Sequence, residues 1–231
     1  MTPPLTPDDI LVIVPARGGS KGIPRKNLHP FRGQPLIQYT LDAVAALPEF
    51  TSVLVSTEDD EIHAFCASHG FDTAYRRPTD LSGDATPIVD VLLHGYEWMR
   101  ATAGRDFRYI MLLQPTSPLR RSDHIRGFTE QLLADEPASL VCVSPMTEHP
   151  MECLTVREPG MPWEYLVDPP AGAYGRQAYR GEYYFINGAL YAAEPDFLRR
   201  EGTFLAPGVT DLFVIPPEFA LDIDNPEDLL R

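Results

Sequence analysis

The stretch PARGGSKGIPRKN, residues 15 to 27, gathers Arg17, Lys21, Arg25 and Lys26 around Gly18, Gly19 and Gly22. Glycines reach backbone conformations closed to other residues, so amides in such a loop can turn inward on phosphate oxygens. Arg17 can grip an oxygen pair as a fork, and Lys21 adds a mobile point charge. A flexible surface turn with solvated charges would have the same composition, and the stretch is neither a Walker A motif nor a G-x-G-x-x-G fingerprint. The distribution of charge separates the two readings. The chain carries a formal net charge of −14, yet no Asp or Glu occurs from Ile10 to Leu41, where Arg32 joins the four bases of the loop. A basic island in an acidic chain indicates a small, highly charged anionic ligand. The overall charge speaks against a general nucleic-acid or membrane surface.

A second group of residues lies in FALDIDNPEDLL, 219 to 230. If Phe219 to Asp224 is extended, Phe219, Leu221 and Ile223 share one face while Asp222 and Asp224 point to the other. Two carboxylates on one face can hold a hard cation such as Mg²⁺, which keeps several waters and bridges to phosphate. Asp224 or Asn225 could equally cap a helix starting at Pro226, which leaves Asp222 without a reason. In LLQPTSPLR, 112 to 120, a buried strand ends in Gln114, Thr116 and Ser117, neutral groups suited to hydroxyl or amide recognition and also to an ordinary turn. In RRPTDLSGDATP, 76 to 87, Arg77 and Asp84 could bind ligand, or Asp84 and Thr86 could merely start the next helix. The six histidines show no metal-ligand spacing.

Positioning these groups requires a scaffold. Strand-like runs occur at Ile10–Val14, Ser52–Ser56, Tyr109–Leu113, Ala138–Ser144, Gly188–Ala192 and Leu212–Ile215. Helical patterns fall at Pro35–Leu47, Asp59–His69, Pro87–Arg100 and Asp123–Ala134. The alternation predicts an α/β fold, a mainly parallel sheet with helices on both faces. Ligands in such folds sit beyond the carboxyl ends of the strands, which is where the basic loop lies. From Pro145 to Gly181 the rhythm breaks into Pro, Gly and aromatics, an excursion expected to be a lid or an oligomerisation arm. The 231 residues suffice for one domain, residues 1 to 231, with 44% apolar content and no run long enough to cross a bilayer. The N-terminus carries Asp8 and Asp9 in place of a basic n-region, so no signal peptide is expected. Cys66, Cys142 and Cys153 lack CxxC spacing and read as reduced thiols of a cytoplasmic protein.

VPARGGSKGIPRKNL, VSTEDDEI, RRPTDLSGDATP, LLQPTSPLR, NGALY and LDIDNPEDL occur together and in this order from Val12 to Leu229. In this the chain resembles the acylneuraminate cytidylyltransferases, the CMP-sialic acid synthetase family. The resemblance implies a Rossmann-like nucleotidyltransferase fold with a dimerisation arm at about 145–185. It implies that CTP and a nine-carbon α-keto acid sugar react, the anomeric hydroxyl attacking the α-phosphorus, to give a CMP-sugar and pyrophosphate. On this view Ala16, Arg17, Gly18, Gly19, Ser20 and Lys21 receive the triphosphate, and Asn27, Arg77, Asp84 and Thr86 surround the nucleoside. Gln114, Thr116, Ser117, Arg176, Gln177 and Tyr184 face the sugar, and Asp222 and Asp224 hold Mg²⁺. Arg17, Lys21, Arg176 and Asp222 carry the catalysis, with Arg176 reaching across a homodimer. Where many members have Arg two residues before the Asn of the NG pair, this chain has Phe185.

Two other readings compete. A metal-dependent glycosyltransferase using a nucleotide sugar would also show Asp-x-Asp, here 222 to 224, although that motif normally sits mid-chain ahead of an acceptor domain. A non-catalytic nucleotide sensor would keep the phosphate loop and have no use for the acidic pair.

Overall fold

A computed structural model of the protein describes residues 4–71, 73–170, 172, 179 and 181–231. In chain order the first half forms β1 (Ile10–Pro15), β2 (Pro30–Phe31), β3 (Gln34–Pro35), α1 (Leu36–Ala45), β4 (Val53–Ser56), α2 (Asp60–Ser68), α3 (Ile88–Ala103) and β5 (Tyr109–Leu112). The second half adds α4 (Ser122–Asp135), β6 (Ser139–Pro145), β7 (Leu154–Thr155), β8 (Glu164–Tyr165), β9 (Tyr184–Ala193), α5 (Pro195–Glu201) and β10 (Thr210–Val214).

Among the described residues, six strands make one sheet in the order β10-β6-β9-β5-β1-β4. β1 runs parallel to β4 and β5, and β10 runs parallel to β6. β9 is antiparallel to both its neighbours, β5 and β6. Apolar periodicity carries no information on strand direction, so this inversion was invisible in the sequence, and the sheet is still mainly parallel as expected.

Strand β1 shows why both faces must be covered. All of Ile10 to Val14 are fully buried, the continuous apolar run typical of a strand packed on both sides. Ile10, Val12 and Val14 pack with Ile37 and Leu41 of α1, Ile62 of α2 and Phe128 of α4. Leu11 and Ile13 face the other way, onto Val89, Leu92 and Tyr96 of α3 and Phe197 of α5. Helix α5 was missed by the periodicity because it is a single short segment, opened by Pro195 and closed by Gly202 at φ 66°. The expected excursion after β6 contains some order: a 3-10 turn at Pro150–Glu152 and the antiparallel pair β7–β8.

Helix α2 is tied directly to the basic loop. Asp59 caps it, accepting from the amides of Glu61 and Ile62 at 3.0 Å each. The same carboxylate receives Arg25 at 2.8 and 3.2 Å. Burial works to raise the Asp59 pKa, but the Ile62 amide, Arg25 and the Glu61 amide outweigh it, and the carboxyl sits below its ordinary value. A depressed pKa means stability present above the unfolded-state value of about 3.9 and lost as pH falls through the folded value. Asp59→Ala is therefore expected to cost about 0.5–2 kcal/mol at neutral pH, with the gap to wild type narrowing in acid. Urea titrations at neutral and acidic pH check this, and an equal loss at both would refute the linkage.

Candidate active site

Beyond the carboxyl ends of β1, β4 and β5 lies an open cavity of about 360 Å³, within the roughly 300–1,000 Å³ of small-molecule sites. Its lining includes Arg17, Ser20, Asn27, Arg77, Asp84 and Thr86 together with Gln114, Thr116, Asp222 and Asp224. Four segments far apart in sequence thus meet at one edge of the sheet, as the parallel topology requires.

The basic loop is held from outside at several points. The Asn27 side chain, buried, donates to the Arg17 carbonyl at 2.9 Å and closes the loop on itself. Asp84 accepts from Arg17 at 2.6 Å and pairs with Lys21 at 2.9 Å. Hydrogen bonds from Lys21 and Arg17 hold the Asp84 carboxyl below its usual range. Asp84 is therefore no helix cap. α3 begins at Ile88 after Pro87, with no capping side chain. Lys26 donates to Asp224 and to the Ile223 carbonyl, both at 3.0 Å. The Gly18 amide, expected to face phosphate, donates to Glu58 at 2.8 Å. The amide of Ala16 continues the sheet by donating to Ser56 O at 2.9 Å, and its side chain is core. Arg77 is buried, its Nε on the Ser56 hydroxyl at 3.0 Å, and burial lowers its pKa from a value so high that it remains charged.

The acidic pair is arranged partly as expected. Leu221 and Ile223 are buried together with Ile23 and Leu36, while Asp222 and Asp224 turn to the cavity. Phe219 does not share their face. It ends a 3-10 turn at Pro217–Phe219 and packs against His124. Of the two candidates for the cap at Pro226 it is Asn225 that stands at the N-cap, with Asp228 three residues on closing a capping box by accepting from the Asn225 amide at 2.9 Å and from the Asp224 amide at 3.0 Å. A methyl on Gly22 would lie 2.8 Å from the Asp224 carbonyl, so only glycine lets the loop pass this close. Burial raises the Asp222 pKa, Asp224 adds to the rise, and the Thr116 hydroxyl and Lys26 offset it in part. Asp222 Oδ1 is buried with no hydrogen-bond partner.

These groups fit a hard divalent cation. No cluster of three or more His, Cys, Asp or Glu that could hold a metal occurs among the described residues. A Mg²⁺-like ion needs only one or two carboxylates when waters and substrate phosphates complete its shell. The orphaned Asp222 oxygen is the acceptor such an ion would use.

Most of the expected nucleotide residues converge. Lys21 reaches the site through Asp84 while staying exposed. Gly19 and Ser117 lie off the cavity lining, and Tyr184 lines a separate hollow with His149 and Tyr183, its hydroxyl on Glu182 at 2.6 Å. Arg176 and Gln177 fall outside the described residues. Reading the motifs overlooked Lys26, Glu58 and Arg120. The first belonged to the basic island and the other two to quoted motifs, but only their tertiary contacts give them work.

A family model described as cytidylyltransferase matches residues 11–158. The chain belongs to that family. It is 32% identical over 228 residues to the N-acylneuraminate cytidylyltransferase of Streptococcus agalactiae, covering 96% of this chain and 52% of that protein. The chain thus spans about half the length of that relative. To the CMP-N,N'-diacetyllegionaminic acid synthase of Legionella pneumophila it is 30% identical, over 95% of this chain and 92% of that one. Among solved structures, CMP:2-keto-3-deoxy-manno-octonic acid synthetase complexed with CTP is similar with a TM-score of 0.67 at 18% identity, covering 96% of this chain and 95% of that one. That likeness shows the fold. No helix among the described residues is long and apolar enough to cross a membrane.

The raised pKa of Asp222 has a sign that can be tested. Burial disfavours its charged form, so the ionised carboxylate destabilises the native state above the folded pKa and not below the unfolded one. With metal removed by chelator, Asp222→Asn is expected to melt above wild type at pH 7 to 8, the difference vanishing as pH falls below about 4. A variant that melts lower at neutral pH would show the carboxylate to be satisfied and stabilising.

Proposed function

We propose that the protein transfers CMP from CTP to the anomeric hydroxyl of a nonulosonic acid, releasing pyrophosphate. The observation that supports this most is the cavity itself. It brings Arg17, Asn27, Arg77 and Thr86 into one cavity with Gln114, Thr116 and the Asp222–Asp224 pair. A polyphosphate on the basic groups and a hydroxyl acceptor on Gln114 and Thr116 would meet beside the carboxylates. Family membership and the relatives that act on N-acylneuraminate or make CMP-diacetyllegionaminic acid favour the same chemistry.

In this mechanism the sugar's anomeric oxygen attacks the α-phosphorus, and the bond from that phosphorus to the β-phosphate oxygen breaks. The hydroxyl proton passes to the Asp222 carboxylate through Oδ2, since Oδ1, the buried oxygen without a partner, is the one a metal would use. Arg17 and Lys21, exchanging Asp84 for phosphate oxygens, offset charge growing on the departing pyrophosphate. Asp222 and Asp224 would hold Mg²⁺, which would supply Lewis acidity and charge neutralisation at the phosphates. Gln114 and Thr116 orient the sugar. Residues 1 to 231 act as one catalytic unit in the cytoplasm.

The assembly we propose is a homodimer. Leu154, Val156, Met161, Trp163, Tyr165, Leu166 and Val167 are all exposed in the excursion after β6, an apolar surface that a partner copy would cover. Arg176 and Gln177 of that arm would complete the neighbouring sugar site. Light scattering should give twice the chain mass, and mixing inactive Arg176→Ala with inactive Lys21→Ala should restore activity through hybrid sites. A fully active monomer would rule this out.

The deciding assay supplies CTP, Mg²⁺ and a panel of nonulosonic acids, with no sugar nucleotide present, and measures pyrophosphate. Release dependent on the sugar acid is expected. Lys21→Ala should lower turnover by about 10²–10³, the usual cost of removing one such electrostatic contact. Wild-type turnover in that variant would show Lys21 to be a solvated surface charge.

A further inference from the structure

Arg120 is an unusual residue to find where it is. It is only 3% exposed, and among the described residues no carboxylate lies within ion-pair distance of it. Its Nη1 donates to the main-chain carbonyls of Gln114 at 3.0 Å and Ala189 at 2.8 Å, and its Nη2 to the Thr40 hydroxyl at 2.5 Å. Its Nε has no partner. Burial brings its pKa down to about 9. A buried cation with only neutral acceptors is a poor way to stabilise a fold, since an apolar side chain of similar volume would cost less to bury. Its acceptors indicate a different purpose.

Gln114 stands just past the end of β5, Ala189 lies within β9, and Thr40 is on α1. Between the first two lies Gly188, where the pairing of β6 with β9 loses register. Asn187 stabilises the irregularity, donating to the Ser144 hydroxyl at 2.9 Å and accepting from the Ala189 amide at 3.0 Å. Gly188 itself has φ 76°. A methyl built on it would lie 3.5 Å from Asp222 Oδ2, 3.6 Å from Gln114 Oε1 and 3.6 Å from Ser117 Oγ. Three polar side chains therefore converge on a space about the size of one heavy atom. Ser117 is 1% exposed and its Oγ has no partner. The Arg120 amide also donates to the Ser117 carbonyl at 3.2 Å.

We propose that Arg120 is a positioning residue for this polar niche, fixing the chain just past β5 against the middle of β9 so that Gln114 and Asp222 at the cavity wall, with the buried Ser117 hydroxyl behind them, receive one hydroxyl-sized polar group of the acceptor sugar acid. A guanidinium can serve two carbonyls and a hydroxyl at once because its donors are fixed in one plane. A lysine ammonium in the same place keeps the charge and loses that geometry. Gly188 keeps the niche open, and a side chain there would fill it. The inference rests on the cytidylyl-transfer reading, in which Gln114 and Asp222 face the sugar.

The test measures pyrophosphate release by the full chain with CTP, Mg²⁺ and N-acetylneuraminic acid, varying each substrate separately. Arg120→Lys should raise KM for the sugar acid about tenfold or lower kcat/KM for it by more, because small displacements of positioned groups are costly. KM for CTP should stay within about twofold, since the loop contacts are untouched. Gly188→Ala should give the same pattern by blocking the niche. Thr40→Val, which removes one acceptor and leaves the cation in place, should show it weakly and fold even where Arg120 variants do not. A merely structural Arg120 would lower the melting temperature and the active fraction while leaving both KM values alone. That result, or equal changes for CTP and sugar acid, would overturn the inference. A wild type with no turnover on CTP and any nonulosonic acid would instead overturn the reading beneath it, and the inference with it.

Discussion

Strand β1 is hydrogen-bonded on both sides and packed on both faces, so the chain leaving it at Pro15 has no route except out past the carboxyl edge of the sheet. Everything that distinguishes this molecule follows from that exit. The neighbouring strands β4 and β5 are parallel to β1, and their exits therefore emerge at the same edge. VSTEDDEI and LLQPTSPLR are then forced to lie beside PARGGSKGIPRKN, although they are distant in sequence. The last segment joins them through one main-chain bond, the Ile223 amide to the Thr116 carbonyl at 2.8 Å. That bond aims Asp222 and Asp224 inward while Leu221 and Ile223 fill a small core below. The site is a consequence of strand direction as much as of residue choice.

Once gathered, the cations are not left bare. Arg17 and Lys21 share Asp84, Arg25 binds Asp59 and Glu61, and Lys26 binds Asp224. These pairs are mostly exposed, and pairs of that kind contribute little to stability. Their value is geometric. The four acids come from three segments, and each fixes where a cation stands, so the loop is ordered although its glycines would let it wander. Glu58 does the same for the backbone, holding the Gly18 amide in a direction that a phosphate oxygen could take over.

How much of this was legible in the sequence depended on the length scale of the signal. β1 and β5 were visible because a run buried on both faces is apolar throughout. Helix α2 was visible because Asp59 is a strong N-cap and Gly70 ends the segment. The basic loop was legible as an anion site from charge alone, since an acid-free stretch of 32 residues is conspicuous in a chain of net charge −14. The antiparallel setting of β9, the irregularity at Gly188 and the burial of Arg120 were not, because each is decided by contacts between residues far apart in sequence. Arg120 reads as one more surface arginine after a proline turn. Only the fold shows it beneath Gln114 with no acid beside it. Likewise the sequence leaves Asp84 between ligand binding and a helix start, and only the fold shows Arg17 and Lys21 reaching it.

An acidic protein with an anion site presents an electrostatic problem whose solution is visible in these pairings. Exposed charges separated by more than about 8 Å are largely screened at physiological ionic strength, so most of the negative surface has little say at the cavity. What counts is the local balance. Arg17, Lys21, Arg77 and Lys26 line or adjoin the cavity together with Asp84, Asp222 and Asp224, and Arg120 lies buried beneath it. Of the acids, Asp84 and Asp224 are held by cations, and Asp222 is disfavoured as an anion by burial. A polyanion arriving there meets Arg17 and Lys21, which share the single carboxylate of Asp84, and Lys26, which is paired with the exposed Asp224. A divalent cation entering with it would relieve the one carboxylate that burial penalises. Asp222 is the acid of this balance that keeps a buried oxygen without a partner, and it is there that ligand, metal and protein would be coupled.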